Sequence, residues 1–359
     1  MDVYVLDNNL AILGVVDQYQ SFIWTERYYD CGDCELYVRA TKTNRELLKT
    51  GNFLTKQSSG AFCRIVSVEA KTDANNGSWM IVKGKDARSI LNQRVVIQQK
   101  YVYSQRARSI IQGMIEDNLT NASQADRNIS MNVNTSDVPD DECRQDTGIF
   151  YLFDKIVEIC KMFGYGSKMT WSAGGIVPYG SMAFKLYVGT DRSRSQSTNP
   201  WVVFSEDFNN LAGSDYTFDV SNYKNAAYIA GEGEGVDRMM VQIDEGSGLD
   251  RYELFVDAKS LSKKGEGGDL TDAQYDHMLL DYGKEQLTGH IEISTFSGTI
   301  LTNADTYKYG TDYSLGDIVT IQNPLGISYD ARVIEVIESD DAQNGHVYIP
   351  KFENIRLTT

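Results

Sequence analysis

The sequence has few basic residues, and this shortage excludes one class of protein. Its 34 Lys and Arg residues are outnumbered by 50 Asp and Glu residues, which gives a net charge of −16. A protein that grips nucleic acid through its phosphates needs clustered positive charge. The charge therefore argues against DNA or RNA binding, although nucleic acid could still slide past such a protein without being held.

Long apolar runs and a secretory leader are also lacking. No stretch approaches the roughly 18 consecutive apolar residues of a membrane-spanning helix. The N-terminus, Met1-Asp2-Val3-Tyr4, has no basic region followed by an apolar one, so it does not match a signal peptide. We therefore expect a protein that is made and folded in a cytoplasm.

Residues that bind metals are scarce and scattered. Cys31 and Cys34 form a C-x-x-C sequence, which is typical of a redox pair or of half a zinc site. They lead into a strand pattern rather than a helix, and no second pair accompanies them. We interpret them as free thiols at a turn and expect no metal site. The remaining cysteines and the histidines show no ligand spacing: Cys63, Cys143, Cys160, His277, His290 and His346.

Two glycine-rich stretches, 231–235 and 265–268, have the composition of phosphate-binding loops. Neither ends in Gly-Lys-Ser/Thr, and the glutamates between the glycines would repel phosphate. We interpret the first as a hairpin tip or bulge. The second belongs to the stretch 262–268, whose composition indicates a flexible loop.

Acidic clusters are the other candidates for catalysis, because paired carboxylates hydrolyse glycosidic bonds. They are Asp140-Asp141-Glu142, Glu206-Asp207 and Asp340-Asp341, and all lie in turn-like polar sequence where solvation is the usual role. A catalytic acid needs surroundings that raise its pKa. No nucleophile elbow or calcium-binding loop is present either. We expect a non-enzymatic protein with no catalytic residue and no cofactor.

An internal repeat is the most informative feature of the chain. Arg64-Ile65-Val66 leads to Asn76-Gly77, and Arg332-Val333-Ile334 leads to Asn344-Gly345, with thirteen residues from Arg to Gly in both copies. Upstream, the segment 51–57 corresponds to 316–322. Each copy predicts strand, loop, strand, two-residue Asn-Gly turn, strand. Two similar small antiparallel domains result, which a homo-oligomer could set side by side in a ring.

Apolar spacing predicts the helices between the two copies. We expect a short helix over 85–96, a longer one after Ser104 that includes 110–119, and another from Thr147 or Gly148 to Gly164. The polar stretch 120–146 between the last two reads as a long loop. Thr271 and Gln274 predict a capping box at the start of a fourth helix.

The fold class that follows is α+β, with two related small antiparallel β-barrel-like domains, a helical insert and a smaller α/β insert. The expected domains are 1–100 for the first β domain, 101–199 for the helical insert, 200–240 plus 290–359 for the second β domain, and 241–289 for the small insert with one helix.

The segment Tyr309–Val319, with the sequence YGTDYSLGDIV, resembles siphophage tail proteins of the tail-tip hub type. The resemblance continues at 332–338 and 348–352. Cys34 and Lys351-Phe352-Glu353 depart from the family pattern without altering a functional group. Further segments that resemble the family, in the same order along the chain, are 17–28, 84–96, 225–231 and 248–257.

The resemblance implies a function in a phage tail or a phage-derived particle. The family is thought to be similar to the central hub of contractile-phage baseplates and to the N-terminal hub region of tail-associated lysins. Two barrel-like domains per chain, taken three times, would form a torus that joins a sixfold tail tube to a threefold tip. The implied partners are a tail-tube or distal tail protein, a tip, spike or receptor-binding protein, and tape-measure protein and DNA that pass through the lumen without specific binding.

Two alternatives to the hub remain open. One is a cell-wall carbohydrate-binding or hydrolytic tail component, and the other is an assembly factor such as a tail chaperone. In many relatives the hub continues into a cell-wall hydrolase, whereas this sequence ends seven residues beyond Phe352. We therefore expect any lysin or receptor-binding activity to belong to another polypeptide, and we expect the protein in the virion tail.

Overall fold

A computed structural model describes most of the chain. The described residues are 2–56, 60–73, 77–97, 101–102, 106–143, 146–147, 149–173, 180–264, 269–300, 307–322, 328–341 and 345–354. Strand accounts for 42% and helix for 23%, which confirms the expected α+β class with strand predominating.

The N-terminal β unit alternates buried and exposed side chains along its strands, the pattern of a sheet with one face on a core. Phe22, Trp24, Leu36 and Val38 are among its buried residues. Its elements are β1 Val3–Leu6, β2 Ile12–Val16, β3 Ser21–Arg27, β4 Asp33–Arg39, α1 Lys42–Leu47, β5 Phe53–Lys56, β6 Phe62–Asp73 and β7 Gly77–Asp86. A 3₁₀ helix, Ala87–Gln93, follows where the short helix was expected.

The helical insert comes next along the chain. The apolar faces of its two helices pack in one core, as their spacing predicted. Its elements are β8 Val95–Val96, β9 Tyr101–Val102, α2 Ala107–Ile115, β10 Asn132–Asn134, β11 Asp146–Thr147, β12 Phe150–Tyr151, α3 Leu152–Phe163, β13 Gly166–Ser172 and β14 Ser181–Tyr187. A π turn, Glu116–Thr120, extends α2, and a short 3₁₀ helix lies at Ala125–Arg127.

Two details of the insert differ from the sequence-based expectation. Helix α3 starts later than expected, because Phe150 and Tyr151 pair with β8 and that pairing keeps them extended. The expected loop 120–146 contains β10, which pairs in parallel with β14. The alternation of Met131 and Val133, which pack against the insert core, was the missed strand signal. Gly164 ends α3 with a φ of +69°, as expected.

The C-terminal half contains a second β unit and a small α/β insert. Its elements are β15 Val203–Ser205, β16 Leu211–Asp219, β17 Ala226–Ala230, β18 Met240–Ile243, β19 Glu253–Asp257, α4 Asp272–Thr288, β20 Ile293–Ile300, β21 Ile318–Gln322, β22 Ser328–Asp341 and β23 Gly345–Asn354. Short 3₁₀ helices lie at Glu206–Phe208, Gly235–Asp237 and Gly248–Asp250.

Helix α4 and strands β17, β18 and β19 share a core of their own. The predicted capping box is confirmed, since Thr271 and Gln274 cap each other's backbone N–H groups. Lys155 on α3 donates to both carboxylate oxygens of Glu285 on α4 at 2.7 Å. This buried ion pair connects the two inserts.

One sheet contains strands of both β units. Its order is β16-β20-β23-β22-β3-β4-β7-β6-β5-β1-β2, with β21 beside β22 and β15 beside β21. Because β22 of the second unit pairs with β3 of the first, the units are joined rather than separate. No closed barrel is found among the described strands, so the barrel-like detail of the prediction is not confirmed.

The two β units have matching backbone details before their long strands. The N–H of Gly51 donates to the carbonyl of Ile65 at 2.9 Å, and the N–H of Gly316 donates to the carbonyl of Val333 at 2.8 Å. Both glycines have a φ of +95°. The register of β6 on β7 shifts directly after Ile65, and the register of β22 on β23 shifts directly after Val333.

The hairpins that close the two units also match. Asp73 pairs with Gly77, and Asp341 pairs with Gly345. The glycines have φ values of +78° and +71°, the left-handed region expected for them. Three residues separate the paired positions, not two, and a glycine with positive φ is typical of three-residue hairpin loops with a bulge. Gln57, 74–76, 265–268 and 342–344 lie outside the described residues.

Candidate functional site

The two β units meet where β3 pairs antiparallel with the second half of β22. The pairing runs from Arg27 opposite Glu335 to Ser21 opposite Asp341. We call these paired segments, with the side chains that cross between them, the seam. The expected hub requires its two units to keep a fixed relative position, so the seam is the first candidate site.

A buried lysine lies at the centre of the seam. Lys56, at the end of β5, is 4% exposed, and its Nζ donates to Glu338 of β22 and to Glu26 of β3 at 3.4 Å. It also lies 5.0 Å from the ring centroid of Trp24. Burial lowers the pKa of Lys56, but the two carboxylates outweigh it and leave that pKa above its ordinary value.

Further hydrogen bonds satisfy the two carboxylates. Glu338 Oε1 lies 2.7 Å from His346 Nε2 and accepts the hydroxyl of Tyr348 at 3.4 Å. Glu26 accepts the hydroxyl of Tyr309 at 3.1 Å. Buried charges persist only when their partners are complete. The network therefore ties together β3, β5, β22, β23 and the segment before β21.

The outer end of the seam has a second charged group. Arg27 Nε donates to Glu335 at 2.6 Å and its NH1 donates to Asp33 at 2.8 Å. Lys351 Nζ lies 2.6 Å from the other oxygen of Glu335. Burial raises the pKa of Glu335, but hydrogen bonds from Lys351 and Arg27 outweigh it and leave that pKa below its ordinary value.

The helical insert contacts the seam through Tyr28. Its hydroxyl donates to the carbonyl of Gly164 at 2.9 Å, and the guanidinium of Arg332 lies 5.0 Å from its ring centroid. A Cβ at Gly166 would lie 2.2 Å from the Tyr28 ring, and one at Gly316 would lie 2.3 Å from it. Only glycine fits at these two positions, so the backbones of the insert and of both units converge on one tyrosine.

The Gly-Asp pair of the YGTDYSLGDIV segment fixes the other end of the insert. Asp317 accepts the N–H groups of Ser314 at 2.9 Å and Thr190 at 2.7 Å, and it forms an ion pair with Arg192 at 3.0 Å. A Cβ at Gly189 would lie 1.9 Å from the carbonyl oxygen of Gly316. The motif thus has a structural role.

The family model of the Siphovirus ReqiPepy6 Gp37-like protein matches residues 2–352. The chain belongs to this family. The expected membership in a siphophage tail protein family is thereby confirmed. No curated protein matches the chain.

Three solved structures with a similar fold are tail proteins, two of them from prophages. The tail protein from Neisseria meningitidis MC58 has a TM-score of 0.62 at 12% identity, over 98% of this chain and 96% of that one. The prophage MuSo2 43 kDa tail protein from Shewanella oneidensis has a TM-score of 0.59 at 10% identity, over 98% of both chains. The prophage tail protein gp18 from Listeria monocytogenes EGD-e has a TM-score of 0.56 at 13% identity, over 100% of this chain and 96% of that one.

The structure places the C-x-x-C cysteines in different surroundings. Cys34 is buried in the core of the first β unit next to Cys63, whereas Cys31 packs against the core of the insert. Burial raises the pKa of Cys31 to about 12, so its thiol stays protonated at neutral pH. Burial likewise raises the pKa of Cys160 to about 12. Cys143 is also buried.

The described part of the chain has no group of three or more His, Cys, Asp or Glu residues that could hold a metal ion. His346 belongs to the seam. His290 lies 3.2 Å from the carbonyl of Asn222, and His277 is on α4. None of the helices that the structure describes is long and apolar enough to cross a membrane.

The acidic clusters have structural partners. Asp140 pairs with Arg108 at 2.8 Å, and Asp141 accepts the hydroxyl of Tyr165. Glu142 pairs with Arg106 at 3.3 Å. The Glu206-Asp207 pair begins a 3₁₀ helix that Ser205 caps.

The remaining acidic pair, Asp340-Asp341, lines an open cleft of about 520 Å³ that also contains aromatic side chains. These are residue types that carbohydrate sites use. The guanidinium of Arg39 lies 4.8 Å from the ring centroid of Trp79, and Tyr19 donates its hydroxyl to Asp340 at 2.6 Å. The aromatic face and this carboxylate therefore already have partners.

The glycine-rich stretch Gly231–Gly235 turns the chain from β17 to the antiparallel β18, which confirms the hairpin-tip interpretation. The N–H of Glu232 donates to the hydroxyl of Tyr275 at 2.8 Å. A Cβ at Gly231 would lie 2.5 Å from the same hydroxyl oxygen, so close packing on α4 explains this glycine.

Sequence reasoning did not identify the seam residues as a site. Lys56 ends the strand that begins with Phe53-Leu54, and Glu338 directly follows the apolar pair Val336-Ile337. The available signal was a charged residue next to the apolar residues of a predicted strand, because a charge that is buried there needs a partner. The identity of those partners depends on tertiary structure.

Proposed function

We propose that this chain is a non-enzymatic structural hub of a phage or phage-derived tail tip. In this proposal three copies form a ring that joins a sixfold tail tube to a threefold tip. The observation that carries the proposal is the joining, in one sheet, of two β units with the same glycine turns, register shifts and hairpins.

Symmetry explains why such a duplication is useful. Three copies of two similar units present six similar faces in a ring, whereas the ring as a whole retains threefold symmetry. The seam holds the two units of one chain in a fixed relation, because its central charges, Lys56 and Glu338, are buried and paired. The two β units are thus proposed copies of one ancestral unit.

We further propose a division of the chain into four parts. The first β unit spans 1–94, and the helical insert spans 95–199 instead of the expected 101–199, because β8 pairs with β12 of the insert. The small insert takes 226–289 instead of the expected 241–289, because β17 packs in its core with α4. The second β unit consists of 200–225 and 290–359.

The net charge of −16 supports a lumen that DNA crosses without being held. Acidic or neutral walls release no counterions when DNA passes, so they give no affinity for the phosphates. The partners proposed are a tail-tube or distal tail protein on one side, a tip, spike or receptor-binding protein on the other, and tape-measure protein and DNA inside.

Light scattering over a concentration series at moderate salt tests the hub. We expect a mass near three times 40.3 kDa, and a ring with a central opening in images of that species. A chain that stays monomeric at every concentration, alone and with the tube-side partner, would contradict the proposal.

A further inference from the structure

Strand β22 changes partner at the shift in its register. Its first half, Ser328–Arg332, pairs with β21, and its second half, Glu335–Asp341, pairs with β3 on the same edge. The shift between Val333 and Glu335 separates the two halves. A bulge bends and twists a strand locally, which lets one long strand serve two partners.

Strand β6 has the same division but lacks the second partner. Its first part, Phe62–Arg64, pairs with β5, and the register shift follows between Ile65 and Ser67. Beyond the shift, no described strand pairs with the edge of Ser67–Asp73 that corresponds to the seam edge of β22. Among the described strands, the backbone groups of this edge have no partner.

Strand β16 occupies in the second unit the place of β3 in the first. The order β3-β4-β7-β6 is matched by β16-β20-β23-β22. In the first unit, the residues paired across the sheet lead from Ile65 through β7 and β4 to Trp24 on β3. In the second unit, they lead from Val333 through β23 and β20 to Tyr216 on β16, so Tyr216 corresponds to Trp24. The outer edge of β16 also has no partner among the described strands.

We propose that β16 of one copy pairs antiparallel with Ser67–Asp73 of the next copy, in the register that β3 and β22 use within the chain. This inference rests on the proposed ring. In the seam, Trp24 is opposite Glu338. Because Tyr216 corresponds to Trp24 and Ala70 corresponds to Glu338, the contact between copies sets Tyr216 opposite Ala70. Two residues along, Phe218 is opposite Val68, and Thr217 is opposite Glu69.

The exposed side chains along the two edges suit this contact. Phe218 is 52% exposed, Val66 is 48% exposed and Val220 is 42% exposed. Val66 and Val220 correspond to Ile334 and Tyr28, whose backbone groups are hydrogen-bonded at 2.8 Å within the chain. Exposed apolar side chains beside an unpaired strand edge favour association through strand pairing.

The contact is head-to-tail, because the two edges belong to different strands. Six strands separate β16 from β6 in the sheet order, and the two edges are not paired with each other among the described strands. A repeated head-to-tail contact generates a ring when its rotation closes. Around such a ring, a seam within one chain would be followed by a matching contact between two chains, and this order would repeat.

Disulfide trapping tests the register. The double variant Glu69→Cys with Thr217→Cys carries a thiol at an exposed position on each edge. The proposed pairing sets the thiol at position 217 of one copy opposite the thiol at position 69 of the next copy. Directly opposite residues of neighbouring strands lie within the Cα separation that a disulfide needs. Under mild oxidation we expect covalent species up to the trimer on a non-reducing gel. Mixing the two single variants should give covalent dimers only.

The control is Lys71→Cys with Thr217→Cys, which moves one thiol two residues along the same face and should give at least about tenfold less product. The wild type controls for its own thiols. Equal yields from matched and displaced pairs, or a trimeric mass without the matched product, would overturn the pairing but leave the hub intact. A monomer without cross-links at every concentration would overturn both. Matched products that stop at the dimer would uphold the pairing and contradict the threefold hub.

Discussion

Strands β6 and β22 have the same backbone plan but different side chains along their partner edges. Where β22 has Glu335, Glu338 and Asp340, β6 has Ser67, Ala70 and Thr72 at the corresponding positions. The partner of β22 is always present in the same chain, so its edge can bury charges that need fixed counter-charges. The edge of β6 lacks acidic groups at these three positions, which suits a contact that forms only between copies.

The first prediction removes the central charge of the seam. Lys56→Met leaves Glu26 and Glu338 without their buried counter-charge, and breaking such an ion pair costs about 3–5 kcal/mol. The measurement is the free energy of unfolding in urea. Lys83→Met is the matched control, because Lys83 is 58% exposed in a cross-strand pair with Glu35 at 3.3 Å and exposed pairs contribute about 0–1 kcal/mol. Equal losses from both variants would show that the seam is not a special site.

The second prediction compares equivalent glycines of the two units. Gly51 and Gly316 both have a φ of +95°, where a Cβ costs about 1–2 kcal/mol. A Cβ at Gly51 meets nothing closer than 3.8 Å, whereas one at Gly316 would lie 2.3 Å from the Tyr28 ring. Gly316→Ala should therefore destabilise the protein more than Gly51→Ala, as thermal unfolding would measure. The reverse order would contradict the role of Tyr28.

The third prediction affects association and leaves folding unchanged. Phe218→Asp places a charge beside the apolar Val68 of the next copy, so association should weaken at least about tenfold, or about 1.4 kcal/mol. Phe255→Asp, at another exposed phenylalanine, is the control, since Phe255 is 65% exposed on β19. Sedimentation velocity measures both variants. Weakening by Phe255→Asp alone would place the contact elsewhere.

The fourth prediction concerns pH. The folded-state pKa of Glu335 is lowered from 4.5, so its contribution to stability is present above pH 4.5 and is lost as the pH falls through the folded value. The folded-state pKa of Lys56 is raised from 10.5, so its contribution is present below pH 10.5 and is lost as the pH rises through the folded value. Unfolding in urea at several pH values should show a shallower acid limb for Glu335→Gln and a shallower alkaline limb for Lys56→Met. Unchanged limbs would contradict these assignments.

The sequence predicted local features well where one strong signal decides them. The capping box at Thr271 and the positive φ of Gly77 and Gly345 each depend on chemistry within a few residues. The start of α3 and the strand β10 were missed because tertiary pairing determines them. The seam could not be predicted, since Lys56 and Glu338 lie 282 residues apart in the sequence.

Hydrogen exchange tests the central claim most directly, because it reports on backbone pairing along both long strands. At low and at high protein concentration, the peptide that covers Glu335–Asp341 should be equally protected, since its partner β3 lies in the same chain. Protection of Ser67–Asp73 and of Leu211–Asp219 should rise together with concentration. Association that protects other segments and leaves these two unchanged would contradict the account.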